Sequence, residues 1–137
     1  MQNTLITILT WIGSQTAYNV ELHSPNITFT EPYNICANYG INHKGRCEAL
    51  QLTAFYNKNS TIYLPIKFNP QDKGDQSILV HELVHYVQWA NNKHKDVCLG
   101  KLEVEAYELQ DKWRQKQNLK STLDPFKMIM LEASCDD

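Results

Sequence analysis

The sequence predicts an α+β fold, in which a small mixed or antiparallel sheet containing a β-hairpin packs on one buried helix, with two or three further helices around it. Three observations point there. Residues 50–56 and 61–64 are rich in Leu, Thr, Phe, Tyr and Ile and flank Asn57-Lys58-Asn59-Ser60, the pattern of a hairpin. Residues 76–90 are apolar over most of a helical circumference (Ile78, Leu79, Val80, Leu83, Val84, Tyr86, Val87, Trp89), as in a helix buried on several sides. Leu102, Ala106, Leu109 and Trp113 recur at spacings of four, three and four, the stripe of an amphipathic helix facing a core.

In chain order, a first helix is expected over residues 4–18, with Leu5, Ile8, Leu9 and Ile12 turned inward. Its apolar run falls far short of the roughly 20 residues of a membrane span, and it has neither a preceding Lys or Arg nor a following small-residue cleavage pattern. Residues 25–29 alternate and suggest a strand, whereas 31–44, rich in Pro, Asn and Gly, read as loop. Pro65 and Pro70 end the second hairpin strand and keep the residues after it out of a central strand. Asp75, after the turn Asp72-Lys73-Gly74-Asp75, is the expected N-cap of the buried helix, which Asn91-Asn92-Lys93 terminates. The next helix covers residues 99–117. The last has Asp124 as cap, Pro125 at its first position, and Phe126, Ile129 and Met130 inward.

With 137 residues, no repeat and no linker, the chain suits one domain over residues 1–137. Its 42% hydrophobic and 20% charged residues exclude a disordered or fibrous chain, and a net charge of −2 without any basic block argues against nucleic acid as partner. A domain this size builds a core without a metal, so a metal site here needs a functional reason. Four cysteines, Cys36, Cys47, Cys98 and Cys135, allow three disulfide pairings. The nearest-neighbour one, Cys36–Cys47 with Cys98–Cys135, is expected, and it favours a secreted or periplasmic setting. The absence of a Cys-x-x-Cys pair argues against a cysteine zinc site or a thioredoxin-like centre. Asn26-Ile27-Thr28 and Asn59-Ser60-Thr61 fit a glycosylation pattern that is common by chance.

The informative segment is His81-Glu82-Leu83-Val84-His85. On a helix this spacing sets two imidazoles one turn apart on one face, able to reach one Zn²⁺ at roughly 2.0–2.1 Å. Glu82, next to the first ligand, can take a proton from water whose pKa the metal brings from about 15.7 to about 7. Two histidines and a glutamate among Leu79, Val80, Leu83 and Val84 are costly unless something satisfies them, and a metal ion does. A catalytic zinc also needs a third protein ligand and an open position. The metzincin extension would require Gly at 88 and His at 91, where this chain has Gln88 and Asn91. Carboxylates on the following helix, Glu103 or Glu105, supply the alternative. The two lie on opposite flanks of the stripe, and periodicity does not choose between them.

Glu103-Val104-Glu105-Ala106-Tyr107 resembles the Glu-x-x-Ala-(Asp/Asn) element of compact gluzincin metallopeptidases. Together with His-Glu-x-x-His, the resemblance covers residues 50–113, from the hairpin to Trp113. It implies a zincin-like fold, Zn²⁺ held by His81, His85 and Glu103, Glu82 as general base, and Tyr107 as a residue supporting the metal ligands, with Tyr departing from the usual Asp or Asn. Glu105 also fits, since its twenty-residue distance from His85 matches thermolysin-like spacing. The resemblance further implies that the strand preceding the helix, Thr61-Ile62-Tyr63-Leu64, borders the cleft and offers its edge to an extended peptide. The expected activity is therefore a zinc-dependent hydrolase with a peptide or protein substrate. Tyr107, Tyr63, His23, His43 and His94 are candidates for a second oxyanion donor. A zinc-binding sensor or interaction domain without turnover, and a metal-dependent hydrolase of a non-peptide amide, would use the same ligands. The first of these gives no reason for Glu82.

Overall fold

A computed structural model describes residues 1–38, 40, 54–57 and 59–135. Among them the fold is α+β, with five helices and one three-stranded mixed sheet. Helix α1 (Gln2–Gln15) buries Leu5, Ile8, Leu9, Trp11 and Ile12. It stops before Tyr18 because Thr16 is extended and turns its hydroxyl back to the Ile12 carbonyl. Strand β1 (Asn26–Thr30) follows. Residues expected to be loop instead form helix α2 (Pro32–Asn38), with Ile35 and Cys36 fully buried. Proline at a first helical position pre-sets φ, so the residue read as a breaker starts the helix.

Strands β2 (Phe55–Asn57) and β3 (Thr61–Pro65) form the expected hairpin, while residues 50–53 of the predicted first strand lie outside the described residues. The strand order is β1-β3-β2, so β3 is central, parallel to β1 and antiparallel to β2. This corrects the expectation that Thr61-Ile62-Tyr63-Leu64 offers a free edge. β1 pairs with all five β3 residues on one side, and β2 takes Thr61 to Tyr63 on the other. Ile62 and Leu64 alternate inward at full burial, each contributing roughly 1.5–3 kcal/mol.

Helix α3 (Lys73–Ala90) starts earlier than predicted. Its cap is Asp72, whose carboxylate accepts from the Asp75 amide at 2.9 Å. Asp75 lies in the first turn, where its charge suits the positive helix end and it accepts from the Asn69 amide. α3 is buried nearly all round, between the sheet and α1 on one side and helix α4 (Leu99–Lys116) on the other. The predicted α4 stripe is buried as expected, with Trp113 edge-on to Trp11 at 5.2 Å.

Helix α5 (Pro125–Ala133) has the predicted cap, Asp124, but not the predicted face. Phe126, Ile129 and Met130 are 69%, 64% and 55% exposed and do not enter the core. The reason is how α5 is held. Its backbone closes on the start of α4, where a Cβ at Gly100 would collide with the Leu131 carbonyl, and a Cys98–Cys135 disulfide anchors its end. That disulfide is the predicted one. Cys47, from the other predicted pair, lies outside the described residues. No helix among the described residues is long and apolar enough to cross a membrane.

Candidate metal centre

α3 carries His81, Glu82 and His85 in its most apolar stretch, between the fully buried Leu79, Val80, Leu83 and Val84. α4 packs along it and brings Glu103 to the two imidazoles. His81 Nε2 and His85 Nε2 are 3.2 Å apart, Glu103 Oε1 is 3.5 Å from His81 Nε2, and the same oxygen contacts His85 Nε2. One ligand atom from each of the three residues thus lies within 4.8 Å of the others. Four bonds of about 2.0–2.2 Å in a tetrahedron separate ligand atoms by about 3.3–3.6 Å; the two separations from His81 Nε2 lie close to that edge, the His85–Glu103 contact is tighter, and the donor types are those of a zinc site.

Each imidazole is held from behind by a glutamine. His81 Nδ1 is 3.1 Å from Gln110 Oε1, and His85 Nδ1 is 2.9 Å from Gln88 Oε1. Both rings therefore turn Nε2 inward, as ligand histidines do. Glu105 points elsewhere. Its Oε1 accepts from Tyr18 OH at 2.6 Å and from Gln88 Nε2 at 2.9 Å. Of the two glutamates that periodicity left equal, the structure brings Glu103 to the histidines and sets Glu105 behind Gln88.

The electrostatics arise from this convergence. Burial acts to raise the Glu103 pKa, but hydrogen bonds from His81 and His85 overcome it and hold the carboxyl well below its usual range. Burial pulls His85 down, yet the Glu103 carboxylate outweighs it, so His85 titrates above its ordinary 6.5. Glu82 is 7% exposed, and burial pushes its carboxyl up despite the nearby histidines. Among the described residues nothing hydrogen-bonds the Glu82 carboxylate, whose oxygens are not fully shut off from solvent.

Tyr107 stands against His81, with ring centroids 4.4 Å apart, and its hydroxyl accepts from Lys127 Nζ on α5 at 2.7 Å. It therefore adjoins His81. The other suggested donors are elsewhere. Tyr63 OH accepts from Asn57 Nδ2, and His23 is exposed with its carbonyl accepting from Tyr86 OH. His94 stacks on Trp89 at 3.6 Å, and His43 lies outside the described residues.

Sequence reasoning passed over Gln88, Gln110 and Tyr18. A signal for Gln88 existed: a polar residue between Val87 and Trp89 on an apolar helix, three residues after His85, faces the same side as the histidines. Gln110, seven residues after Glu103, repeats that logic on α4. Nothing in the sequence links Tyr18 to a glutamate 87 positions away.

No curated protein and no solved structure matches the chain. Its full length, residues 1–137, matches the family described as "Domain of unknown function (DUF6647)", and the chain belongs to that family.

Proposed function

We propose that this protein is a zinc-dependent hydrolase, a compact peptidase of gluzincin type in a zincin-like fold, with His81, His85 and Glu103 as metal ligands. The observation that carries the reading is a pair of coincident features: a His-His-Glu donor set able to hold one metal ion, and beside it on the histidine helix a largely buried carboxylate, Glu82, that no described residue hydrogen-bonds. A structural site needs only the first. Zinc bound there supplies a Lewis acid that polarises a carbonyl and makes water acidic enough to attack near neutral pH. The chain's own residues do the rest. Glu82, whose burial favours the proton-bound form, accepts the proton of the attacking water and delivers it to the leaving amine. Gln88 and Gln110 keep the imidazoles oriented. Tyr107 covers one face of His81.

The proposed substrate class is a peptide or protein, and the Cys98–Cys135 disulfide favours an oxidising compartment, secreted or periplasmic. Glu82→Gln tests the reading. It should bind one zinc like the parent and hydrolyse a quenched peptide library at least about 10²-fold more slowly, the scale of a lost general base. Full activity in the purified variant contradicts the assignment.

A further inference from the structure

Gln88 is fully buried, and nothing in the His-Glu-x-x-His pattern calls for it. Its amide has only one way round. Nε2 lies 2.9 Å from two atoms, the Leu102 carbonyl oxygen and Glu105 Oε1. Both are acceptors, so the N–H₂ group must face them and the amide oxygen must face His85 Nδ1, at 2.9 Å. An amide oxygen only accepts, so His85 must carry its proton on Nδ1, which leaves Nε2 as the metal-facing atom. Gln110 lacks this constraint, since among the described residues nothing accepts from its Nε2. The direction of the Gln88 amide is itself set from further out. Tyr18, beyond the end of α1, donates to the same Glu105 oxygen at 2.6 Å and holds that carboxylate in place.

We propose that Gln88 is a positioning residue for His85, and that Glu105 and Tyr18 act on the metal centre through it by fixing its amide. Glu103 and Glu105, two residues apart on one helix, then serve one centre: the first by contact, the second through two hydrogen bonds by way of Gln88. The consequence for zinc affinity rests on the proposed metal site. The consequence for the His85 proton does not.

A reciprocal swap tests this. Gln88→Glu removes both donors and sets a second carboxylate against Glu105, and zinc affinity, measured by chelator competition, should fall 10–100-fold. Adding Glu105→Gln removes the second charge and lets an amide at 105 donate to the new carboxylate, but the one atom that met both Tyr18 and Gln88 cannot then also accept from Tyr18, and the Leu102 carbonyl keeps no donor, so the repair is partial. The double variant should bind zinc more tightly than Gln88→Glu alone while staying weaker than the parent, a coupling that independent sites do not show. Tyr18→Phe, a milder change at the far end of the chain, should weaken zinc binding several-fold without unfolding the protein. In ¹⁵N-labelled metal-free protein, the His85 Nδ1–H proton should exchange slowly in the parent and the swap, and be lost to exchange in Gln88→Leu. A double variant no tighter than the two single effects combined, unchanged affinity in Tyr18→Phe, or a protected His85 Nδ1–H in Gln88→Leu overturns the proposal. A parent that binds no zinc would overturn the metal reading instead, and the His85 resonance would still decide the role of Gln88.

Discussion

Replacing Glu82 by glutamine should make the metal-free protein more stable at neutral pH, even as it removes the proposed activity. Glu82 is buried without a hydrogen-bond partner among the described residues, and burial raises its carboxyl from an ordinary 4.5. A group with a raised folded-state pKa binds more protons folded than unfolded. Stability is then lost as pH climbs from 4.5 towards the folded value. At about 1.4 kcal/mol per pH unit, the loss by pH 7 cannot exceed about 3 kcal/mol. Glutamine has the same shape and no proton to lose, so Glu82→Gln should gain stability at pH 7, by no more than about 3 kcal/mol, and little at pH 5. With an unfolding entropy of about 2.1 cal/mol/K per residue, each kcal/mol moves Tm by about 3.5 °C in a chain of this length. Thermal unfolding of chelator-treated parent and variant, followed by circular dichroism at pH 5 and 7, should therefore show a gain at pH 7 only, of at most about 10 °C. An equal or lower Tm at pH 7, or a gain independent of pH, would refute the idea that this acid is held at a cost to stability for the sake of function.

The same geometry predicts two further outcomes. The raised His85 pKa contributes stability to the metal-free protein that is complete below 6.5 and lost as pH rises through the folded value, whereas zinc takes the place of that proton. The Tm gain on adding zinc should therefore grow from pH 6 to pH 8, and a gain that shrinks over that range is the contrary result. The Cys98–Cys135 bridge spans 37 positions, for which chain entropy allows a contribution of about 4 kcal/mol, but α5 buries no residue of its own. Replacing both cysteines by serine should speed amide exchange in α5 while α3 amides stay protected. Loss of protection throughout α3 would show that the bridge holds the whole fold.

Legibility in the sequence divides along local and non-local lines. The α3 and α4 stripes are legible because burial on a helix leaves a period in the chain, and His81, Glu82 and His85 stand out because polar residues interrupt that period. The Asp124 cap is legible as purely local chemistry. The buried-helix cap lies three residues before its expected place, since Asp72 and Asp75 both suit a helix start and only the amide that each faces decides between them. The choice between Glu103 and Glu105 is invisible in one helix, because it depends on which flank of α4 meets α3 and which meets Tyr18. The central place of β3 requires knowing that β1 pairs with it in parallel, a contact between residues 35 positions apart. The outward face of α5 runs against its apolar pattern because a disulfide and a close backbone approach at Gly100 hold the helix in place of a core.

Zinc content and ligation, measured together, bear most directly on the whole account. Protein purified under metal-replete conditions, assayed for zinc and probed at the zinc absorption edge, should carry one equivalent. Its ion should be bound to two imidazoles and one carboxylate at about 2.0–2.2 Å, with at least one further light atom from solvent. That signal should vanish in His81→Ala, His85→Ala and Glu103→Ala alike. A protein that retains no zinc, or one whose ion is closed off by four protein ligands, would contradict it.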